Sequence, residues 1–204
     1  NKELSLTKSI HLVVGYQKKI FKQVNAKIET YYQHLYDIPV ERNSFYSLAN
    51  TGADFVFNDA DSLVNMGTGE NYGVELTLEK MISKGFYYLT NVSLYNSVYK
   101  GGDGVVRNTA FNGNYTVNVL AGYEIRINQK LSIDFNGKIS WAGGKRYPKI
   151  DVKESVDRGS LTYDQSSLFE LKYKDYLRAD LKVGVRLNGK KITQEWALDV
   201  QNLT

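Results

Sequence analysis

The chain has 204 residues, enough for one sizeable domain, and 26 basic against 22 acidic side chains give it a net charge of +4. The basic residues are scattered among acidic ones, so a clustered nucleic-acid-binding surface is not expected. The absence of cysteine excludes disulfides, zinc–thiolate sites and thiol catalysis. No apolar run approaches the roughly 18 residues of a membrane helix, but strands with alternating faces escape that test. The 16 tyrosines suit half-buried packing or the aromatic rows of bilayer interfaces.

The first two predicted strands form a long hairpin. Residues 9–17 alternate apolar side chains with polar or small ones, and residues 24–32 do the same after a short connection at 18–22. A period of two places the apolar residues on one face of each strand. The second strand is predicted to run to about Val40, with Pro39 marking the end of regular pairing because proline has no amide hydrogen to donate.

The most regular hairpin covers residues 70–99. In its first arm, apolar and polar residues alternate strictly from Tyr72 to Glu79, and the second arm continues the pattern from Thr90 to Tyr95. Only residues 82–85 separate the arms, and Gly85 can adopt the positive φ that a tight turn requires. This segment therefore predicts two long antiparallel strands.

Four more segments repeat the alternation and bring the predicted total to eight strands: residues 115–127, 131–141, 177–187 and 195–201. Tight turns are predicted at residues 128–130 and at Asn188-Gly189, a pair that favours a two-residue hairpin turn. A strand that crosses a bilayer at a tilt needs about 9–11 residues, whereas soluble strands most often have five or six. The lengths here indicate the membrane class.

The connections alternate between short and long. Residues 41–69, 100–113 and 143–174 are rich in turn-forming residues and are predicted to be extended loops. Up-and-down membrane barrels have tight periplasmic turns and longer extracellular loops. The sequence therefore predicts an all-β, antiparallel, up-and-down transmembrane β-barrel segment.

Residues that suggest site chemistry have simpler interpretations. His11 and His34 fall on different strands without carboxylates at ligand spacing, so we expect no metal site there. Paired carboxylates at Glu75 and Glu79 recur at every second residue, which is typical of a wet strand face. The same holds for one charged row: Arg178, Asp180, Lys182 and Arg186.

Two loop features also bear on function. The run Gly101-Gly102-Asp103-Gly104 lacks the ladder of oxygen ligands that calcium needs, so we expect a plain loop. Aromatic residues in the loops can stack on sugars or aromatic ligands, or pack the loops together. They are Phe45, Tyr46, Tyr147, Tyr163 and Phe169. No residues converge on a nucleophile with its base, so we expect neither an enzyme nor a cofactor, and ligand-binding residues stay unassigned.

Four stretches together resemble the C-terminal barrel of TonB-dependent outer-membrane receptors of the Bacteroidetes type. They are residues 29–40 (ETYYQHLYDIPV), 67–80, 107–112 (RNTAFN) and 143–148 (GGKRYP). The resemblance covers nearly the whole chain and implies a barrel of about 22 strands, plugged by an N-terminal domain and driven by the TonB system. It implies import of a siderophore, cobalamin, a glycan or a similar nutrient.

On this reading, residues 1–204 are the C-terminal portion of the barrel, without plug, TonB box or final strand. The expected partners are outer-membrane lipid, the TonB system through the plug, the imported ligand and a surface lipoprotein, but no nucleic acid. Two alternatives stay open: a complete eight-stranded outer-membrane barrel with a structural or adhesion role, and a soluble ligand-binding β-barrel. We expect residues 41–69 and 143–174 to contact the nutrient, because both loops mix charged with aromatic residues.

Overall fold

The computed structural model describes residues 3–51 and 62–204, which form an all-β fold. Its strands are β1 Lys8–Phe21, β2 Val24–Glu41, β3 Leu63–Ser83, β4 Phe86–Lys100, β5 Val106–Asn108, β6 Tyr115–Arg126, β7 Leu131–Ala142, β8 Arg146–Tyr147, β9 Leu171–Lys172, β10 Tyr176–Asn188 and β11 Thr193–Val200. The α-helix α1 covers Val152–Arg158, and 3-10 helices cover Leu48–Asn50 and Gln165–Ser167. All eight strands predicted from the alternation are present.

The eight long strands form one antiparallel meander in the order β1-β2-β3-β4-β6-β7-β10-β11. Strand β5 adds to β4 beside β6, and β8 pairs with β9 in a separate small sheet. Within the described residues β1 and β11 each pair on one side only, so the sheet is open and does not close into a barrel. The up-and-down topology predicted from the sequence is confirmed.

The two faces of the sheet differ in chemistry. One register row crosses seven strands with apolar side chains: Tyr16, Ile28, Leu76, Val92, Val117, Trp141 and Leu177. This apolar face is open, with Val14 and Leu198 each 68% exposed. The polar face is the more enclosed one: on β3, Gly73, Glu75 and Thr77 are half-buried, whereas the apolar-face residues Tyr72, Val74 and Leu76 are exposed. A sheet whose apolar face is more exposed than its polar face is inverted relative to a soluble protein.

The end of β2 corrects the prediction at Pro39. Pairing with β3 continues past the proline, with Pro39 opposite Asn65 and Glu41 opposite Leu63. A bulge at Asp37, which has φ 55°, shifts the register first, and the Asn65 side-chain amide donates to the Asp37 carbonyl at 2.6 Å. Because the bulge absorbs the irregularity, β3 starts at Leu63, and the last part of the predicted 41–69 loop is strand.

The turns follow the sequence in one case and depart from it in another. Lys84 and Gly85, both with positive φ, form the two-residue turn between β3 and β4, as predicted. The Asn188-Gly189 pair does not form the centre of a two-residue turn. Asn188 instead pairs with Thr193, and residues 189–192 form a four-residue loop closed by the Gly189 amide donating to the Ile192 carbonyl at 2.8 Å.

Candidate ligand-binding end of the sheet

The connections divide the sheet into two ends. The turns β1–β2, β3–β4, β6–β7 and β10–β11 lie at one end, here called the turn end. The described parts of the long connections, residues 42–51 and 62, 101–114 and 143–175, lie at the other, here called the loop end. Residues 52–61 of the predicted 41–69 loop lie outside the described residues. In such an architecture, recognition falls to the long connections, because strands are constrained by pairing on both edges. The loop end is therefore the candidate site.

A small core anchors the loop end. Within the described residues, the buried hydrophobic side chains are Ile38, Val40, Tyr99 and Leu168. The ring of Phe169 meets that of Tyr99 edge-on at 6.2 Å between centroids. Gly67 packs so tightly that a Cβ there would collide with Val40. The core thus joins β2, β3, β4 and the 143–175 connection at the point where the strands leave the regular sheet.

The Gly-Gly-Asp-Gly run is packed against the preceding connection. The Asp103 amide donates to the Ser44 carbonyl at 3.1 Å, and Gly102 forms a bridge with Arg42. The Asp103 carboxylate lies 2.7 Å from Arg107, whose side chain is only 10% exposed. Burial acts to raise the pKa of Asp103, but hydrogen bonds from Arg107 and the Val105 amide outweigh it and hold the pKa below its ordinary value. The carboxylate is engaged in holding the loop.

Arg146 connects two of the stretches that carried the family resemblance. Its amide donates to the Ala110 carbonyl at 2.8 Å, and its Nε donates to the Asn112 carbonyl at 2.9 Å. Its guanidinium also reaches Asn114 Oδ1 at 3.2 Å and the Phe169 carbonyl at 3.3 Å. The arginine guanidinium has five N–H donors in one plane, so it can donate to several carbonyl oxygens at once. The residues 143–148 and 107–112 therefore fix the loop architecture.

Asparagine side chains complete this clamp. Asn112 is fully buried, and its amide donates to Asn96 Oδ1 at 2.8 Å and to Asn108 Oδ1 at 2.7 Å. The Asn114 amide donates to Asn112 Oδ1 at 3.0 Å, so both ends of the buried carboxamide are satisfied. A buried amide whose partners are all present holds one conformation, whereas a partly paired one is costly.

The 143–175 connection is more ordered than the sequence predicted. Asp151 caps α1 by accepting from the Glu154 amide at 2.9 Å, and Gly159 ends the helix with φ 63°. The hydroxyl of Tyr115 and the amide of Gly144 donate to the Asp175 carboxylate. These hydrogen bonds hold the pKa of Asp175 below its ordinary value. The connection is thus tied to the sheet at its C-terminal end.

The loop aromatics divide between packing and exposure. Phe169 packs on Tyr99, which supports the packing alternative for that residue. Tyr147 contacts Tyr173 with ring centroids 4.4 Å apart, and Tyr173 is 60% exposed. Phe45, Tyr46 and Tyr163 are half-buried. The sequence reasoning missed Tyr173, which joins the aromatic set only because β9 pairs with β8.

The two histidines lie on opposite faces of the sheet. His11 is on the polar face and contacts Tyr31, whereas His34 is on the apolar face, stacked on Tyr36 with Nδ1 3.9 Å from Glu70. Over residues 3–51 and 62–204 no three His, Asp or Glu side chains are grouped as metal ligands require.

Charged residues of the polar face form pairs within and across strands. Within β10, Arg178 Nε donates to both carboxylate oxygens of Asp180, at 2.7 and 3.1 Å. Arg186 and Lys182 both reach Glu195, at 3.3 and 3.8 Å. Glu75 accepts from Ser93 at 3.4 Å, and Glu79 is opposite Asn25 in the register. These residues line one continuous polar surface, as the alternation predicted.

A hydrogen-bonded file of neutral side chains also crosses this face toward the loop end. Its members are Ser9, Gln33, Asn71, Ser97 and Thr109, linked in that order at 2.6–3.2 Å. The file connects β1 to the segment after β5 through side chains alone. Five neutral side chains thus form a continuous hydrogen-bonded row across the loop-end part of the polar face.

Comparison with protein-family models, with curated proteins and with solved structures finds no match to this chain. Among the described residues there is no helix that is both long and apolar enough to cross a membrane.

Proposed function

We propose that this chain is the C-terminal part of the β-barrel of a TonB-dependent outer-membrane receptor, which imports a nutrient such as a siderophore, cobalamin or a glycan. The carrying observation is the inverted sheet, whose apolar face is exposed while its polar face is half-buried. Burying one large apolar side chain contributes about 1.5–3 kcal/mol. A sheet with a whole face of exposed apolar side chains gains this free energy only if an apolar phase covers the face, and the lipid of a membrane is such a phase.

Aromatic residues flank the apolar face at two levels. Toward the loop end lie Tyr32, Tyr72, Tyr115 and Trp141, and toward the turn end lie Phe86, Tyr88, Tyr123, Phe135 and Trp196. On β6, Tyr115 and Tyr123 enclose Val117, Val119 and Ala121. At about 3.4 Å per residue and a tilt of 35–45°, this spacing spans roughly 20 Å of height, close to the apolar band of about 25 Å in membrane barrels.

The open edges support a wider sheet. Strands β1 and β11 each leave one edge unpaired, and every residue of both is exposed. Unpaired edges in hydrocarbon are not tolerated, so the membrane reading requires further strands on both sides. A complete eight-stranded barrel would pair β1 with β11. A soluble barrel would turn its apolar face inward, opposite to the exposures observed here.

In the proposed receptor the loop end faces the cell exterior and contacts the ligand without reacting with it. The Tyr147–Tyr173 pair supplies an exposed aromatic surface there, and the neutral file from Ser9 to Thr109 lines the polar face below. Coupling to the TonB system passes through a plug domain outside this chain. In this proposal a surface lipoprotein covers the same end.

The absence of cysteine permits a direct test of the membrane orientation. Single cysteines at Val117 and Val119 are expected to resist a water-soluble maleimide in intact outer membranes. Cysteines at Thr116 and Asn118, on the polar face of the same strand, are expected to react once the plug is removed. Equal labelling of both sets would refute the lipid-facing assignment.

The transport role needs a separate measurement. Deletion of the gene for the intact protein is expected to abolish growth on one limiting nutrient from a panel of siderophores, cobalamin and oligosaccharides. Restoration should require the intact TonB system. Growth unchanged on every nutrient of the panel would refute the import function while leaving the membrane fold standing.

A further inference from the structure

The turn end carries a rim of lysines. Seven lysines lie in or beside the four tight turns: Lys18, Lys19, Lys22, Lys84, Lys130, Lys190 and Lys191. All seven are exposed. Each turn with its adjoining strand residues, 18–23, 82–85, 127–130 and 188–192, contains no acidic residue; the predicted connection 18–22 is strand up to Phe21. The net charge of the whole chain is only +4, so the rest of the chain is net negative. Positive charge is thus concentrated at one end of the sheet.

The seven rim lysines have no acidic partner within the described structure. Across the described part of the chain, none of the seven takes part in an ion pair. Basic residues just inside the rim are paired, as Arg126 is with Glu124 and Arg186 with Glu195. At the loop end, Lys8, Arg107 and Arg158 are paired as well. Loop-end lysines such as Lys145 and Lys174 are outside these ion pairs too, but six acidic residues are interspersed along the 143–175 connection. The rim is therefore distinguished by positive charge in segments that contain no acidic residue.

Every turn also presents an exposed apolar side chain next to its lysine. These are Ile20 and Phe21, Met81 and Ile82, Ile127, and Ile192, with exposures from 46% to 71%. A solvated charged turn does not need apolar neighbours. A long lysine beside an apolar residue is typical of a bilayer interface, where the apolar part enters the acyl region and the ammonium reaches the headgroups.

The rim is continuous from turn to turn. Each turn region is hydrogen-bonded to the next strand: Met81 to the Gln23 carbonyl at 3.0 Å, Glu124 to the Gly85 carbonyl at 2.8 Å, and Asn188 to the Lys130 carbonyl at 2.7 Å. Between the second turn and β6 lies an open cleft of about 540 Å³, lined by Lys84, by the Arg126–Glu124 ion pair, and by Ile82, Tyr123 and Ile125. In this cleft Lys84, which forms no ion pair with the described residues, lies beside apolar and aromatic walls, a combination that suits an anionic phospholipid headgroup and its first acyl carbons.

We infer that the lysine rim binds the headgroups of anionic phospholipids in the leaflet on the turn side of the membrane. The inference rests on the proposed function, because it needs the apolar face to stand in a bilayer. Only the turn end has a charge complementary to anionic headgroups, because the loop end mixes acidic and basic residues. The expected consequence is a preference for anionic over zwitterionic lipid at the turn end of the barrel.

The test uses the intact protein in lipid nanodiscs of phosphatidylcholine containing a minority of phosphatidylglycerol. Spin-labelled phosphatidylglycerol and phosphatidylcholine report which lipid is immobilised on the protein. We expect about a fivefold preference for phosphatidylglycerol, the effect of roughly one lysine contact per lipid, and its loss in high salt. The rim variant combines Lys84→Gln, Lys130→Gln, Lys190→Gln and Lys191→Gln and is expected to lose most of the preference.

A matched variant removes the same number of lysines at the loop end, with Lys145→Gln, Lys149→Gln, Lys153→Gln and Lys174→Gln, and is expected to keep the preference. An intact protein that inserts but shows no preference, or a rim variant that retains it, would overturn the lipid assignment and leave the rim as a surface for an acidic protein. A protein that does not enter the bilayer at all would instead refute the proposed function.

Discussion

Tyr31 of β2 lies across Gly73 of β3, its direct partner in the register, on the polar face of the sheet. A Cβ at Gly73 would stand 2.9 Å from the Tyr31 hydroxyl oxygen and 2.6 Å from the Leu94 carbonyl oxygen. The same relation recurs between Tyr87 and Gly122, which also pair directly. Large polar side chains of this face therefore lie flat over a glycine of the neighbouring strand.

We therefore expect Gly73→Ala to destabilise the protein by about 1–3 kcal/mol, because the new Cβ would overlap the Leu94 carbonyl oxygen, a backbone atom that cannot move aside as a side chain can. The matched control is Gly137→Ala, whose new Cβ would come no closer than 3.5 Å to any atom considered, the nearest being Leu181 Cδ2. Denaturant midpoints of both variants in detergent micelles measure the difference. Similar midpoints for the two would show that the tyrosine moves aside without cost.

Arginine substitution distinguishes the two faces within one strand. Val119→Arg places a charge on the apolar face of β6, and if that face contacts lipid, as proposed, the charge should cost about 2–4 kcal/mol at the bilayer midplane. Leu120→Arg, the next residue, faces the polar side and should cost far less, as should Lys182→Gln on that same side of β10. Unfolding free energies in vesicles provide the measurement. Equal penalties for the two arginines would contradict a lipid-facing assignment.

Periodicity sufficed to predict all eight long strands, because alternation between two chemically different faces is a local property of the sequence. It failed where a long-range contact decides the structure. Strand β3 begins at Leu63 because the Asp37 bulge lets residues 39–41 go on pairing, and no local pattern shows this. The pairing of Tyr147 with Tyr173 likewise depends on β8 meeting β9 across more than twenty residues.

One element of the loop end was within reach of sequence reasoning. Asp151 with Glu154 three residues later and Gly159 beyond the last turn are the start and stop signals of a helix. The helix has seven residues and none is buried. It therefore lacks the buried apolar stripe by which helices are usually predicted from sequence. The role of Arg146 had no such signal, since its acceptors are mostly backbone carbonyls that any sequence possesses.

The Arg146 clamp predicts a local effect on the 143–175 connection. Arg146→Lys keeps the charge but replaces a planar fork of donors by one ammonium, so the Asn112 and Phe169 carbonyls lose partners. Each lost charged hydrogen bond contributes about 1.5–3 kcal/mol. We expect faster protease cleavage within 149–170 at an unchanged global unfolding midpoint. Cleavage rates equal to those of the unmodified protein would show that the asparagines alone hold the loop.

The Asp103–Arg107 pair predicts an acid-sensitive loop. The pKa of Asp103 lies below its ordinary value of 3.8 in the folded protein, so the carboxylate stabilises the fold above that value. This contribution is lost as the pH falls through the lowered pKa. Amide exchange over residues 101–108, corrected for its intrinsic pH dependence, should lose protection only below about pH 4. Asp103→Asn should show reduced protection that no longer changes with pH.

The tip of the 143–175 connection can be shortened without disturbing the contacts that anchor the connection. Ile150 and Tyr163 form a β-bridge, and the Asp151 amide donates to the Thr162 carbonyl at 3.0 Å, so the two ends of the tip are close together. Residues 151–162 can therefore be replaced by an Asn-Gly turn while the buried Leu168 and the Arg146 clamp stay in place. Because α1 buries no residue, assembly and heat-modifiable migration should be preserved.

If the tip contacts the imported nutrient, this shortened protein should take it up more slowly than the unmodified one. A control that replaces Lys190 and Lys191 by Gly-Ser alters the opposite end of the sheet and should leave uptake unchanged. Both proteins are compared at equal abundance in the outer membrane with the nutrient that the gene deletion identifies. Uptake at the unmodified rate in the shortened protein would show that α1 is only a cover. The contact surface would then have to be sought at the Tyr147–Tyr173 pair, which the replacement leaves intact.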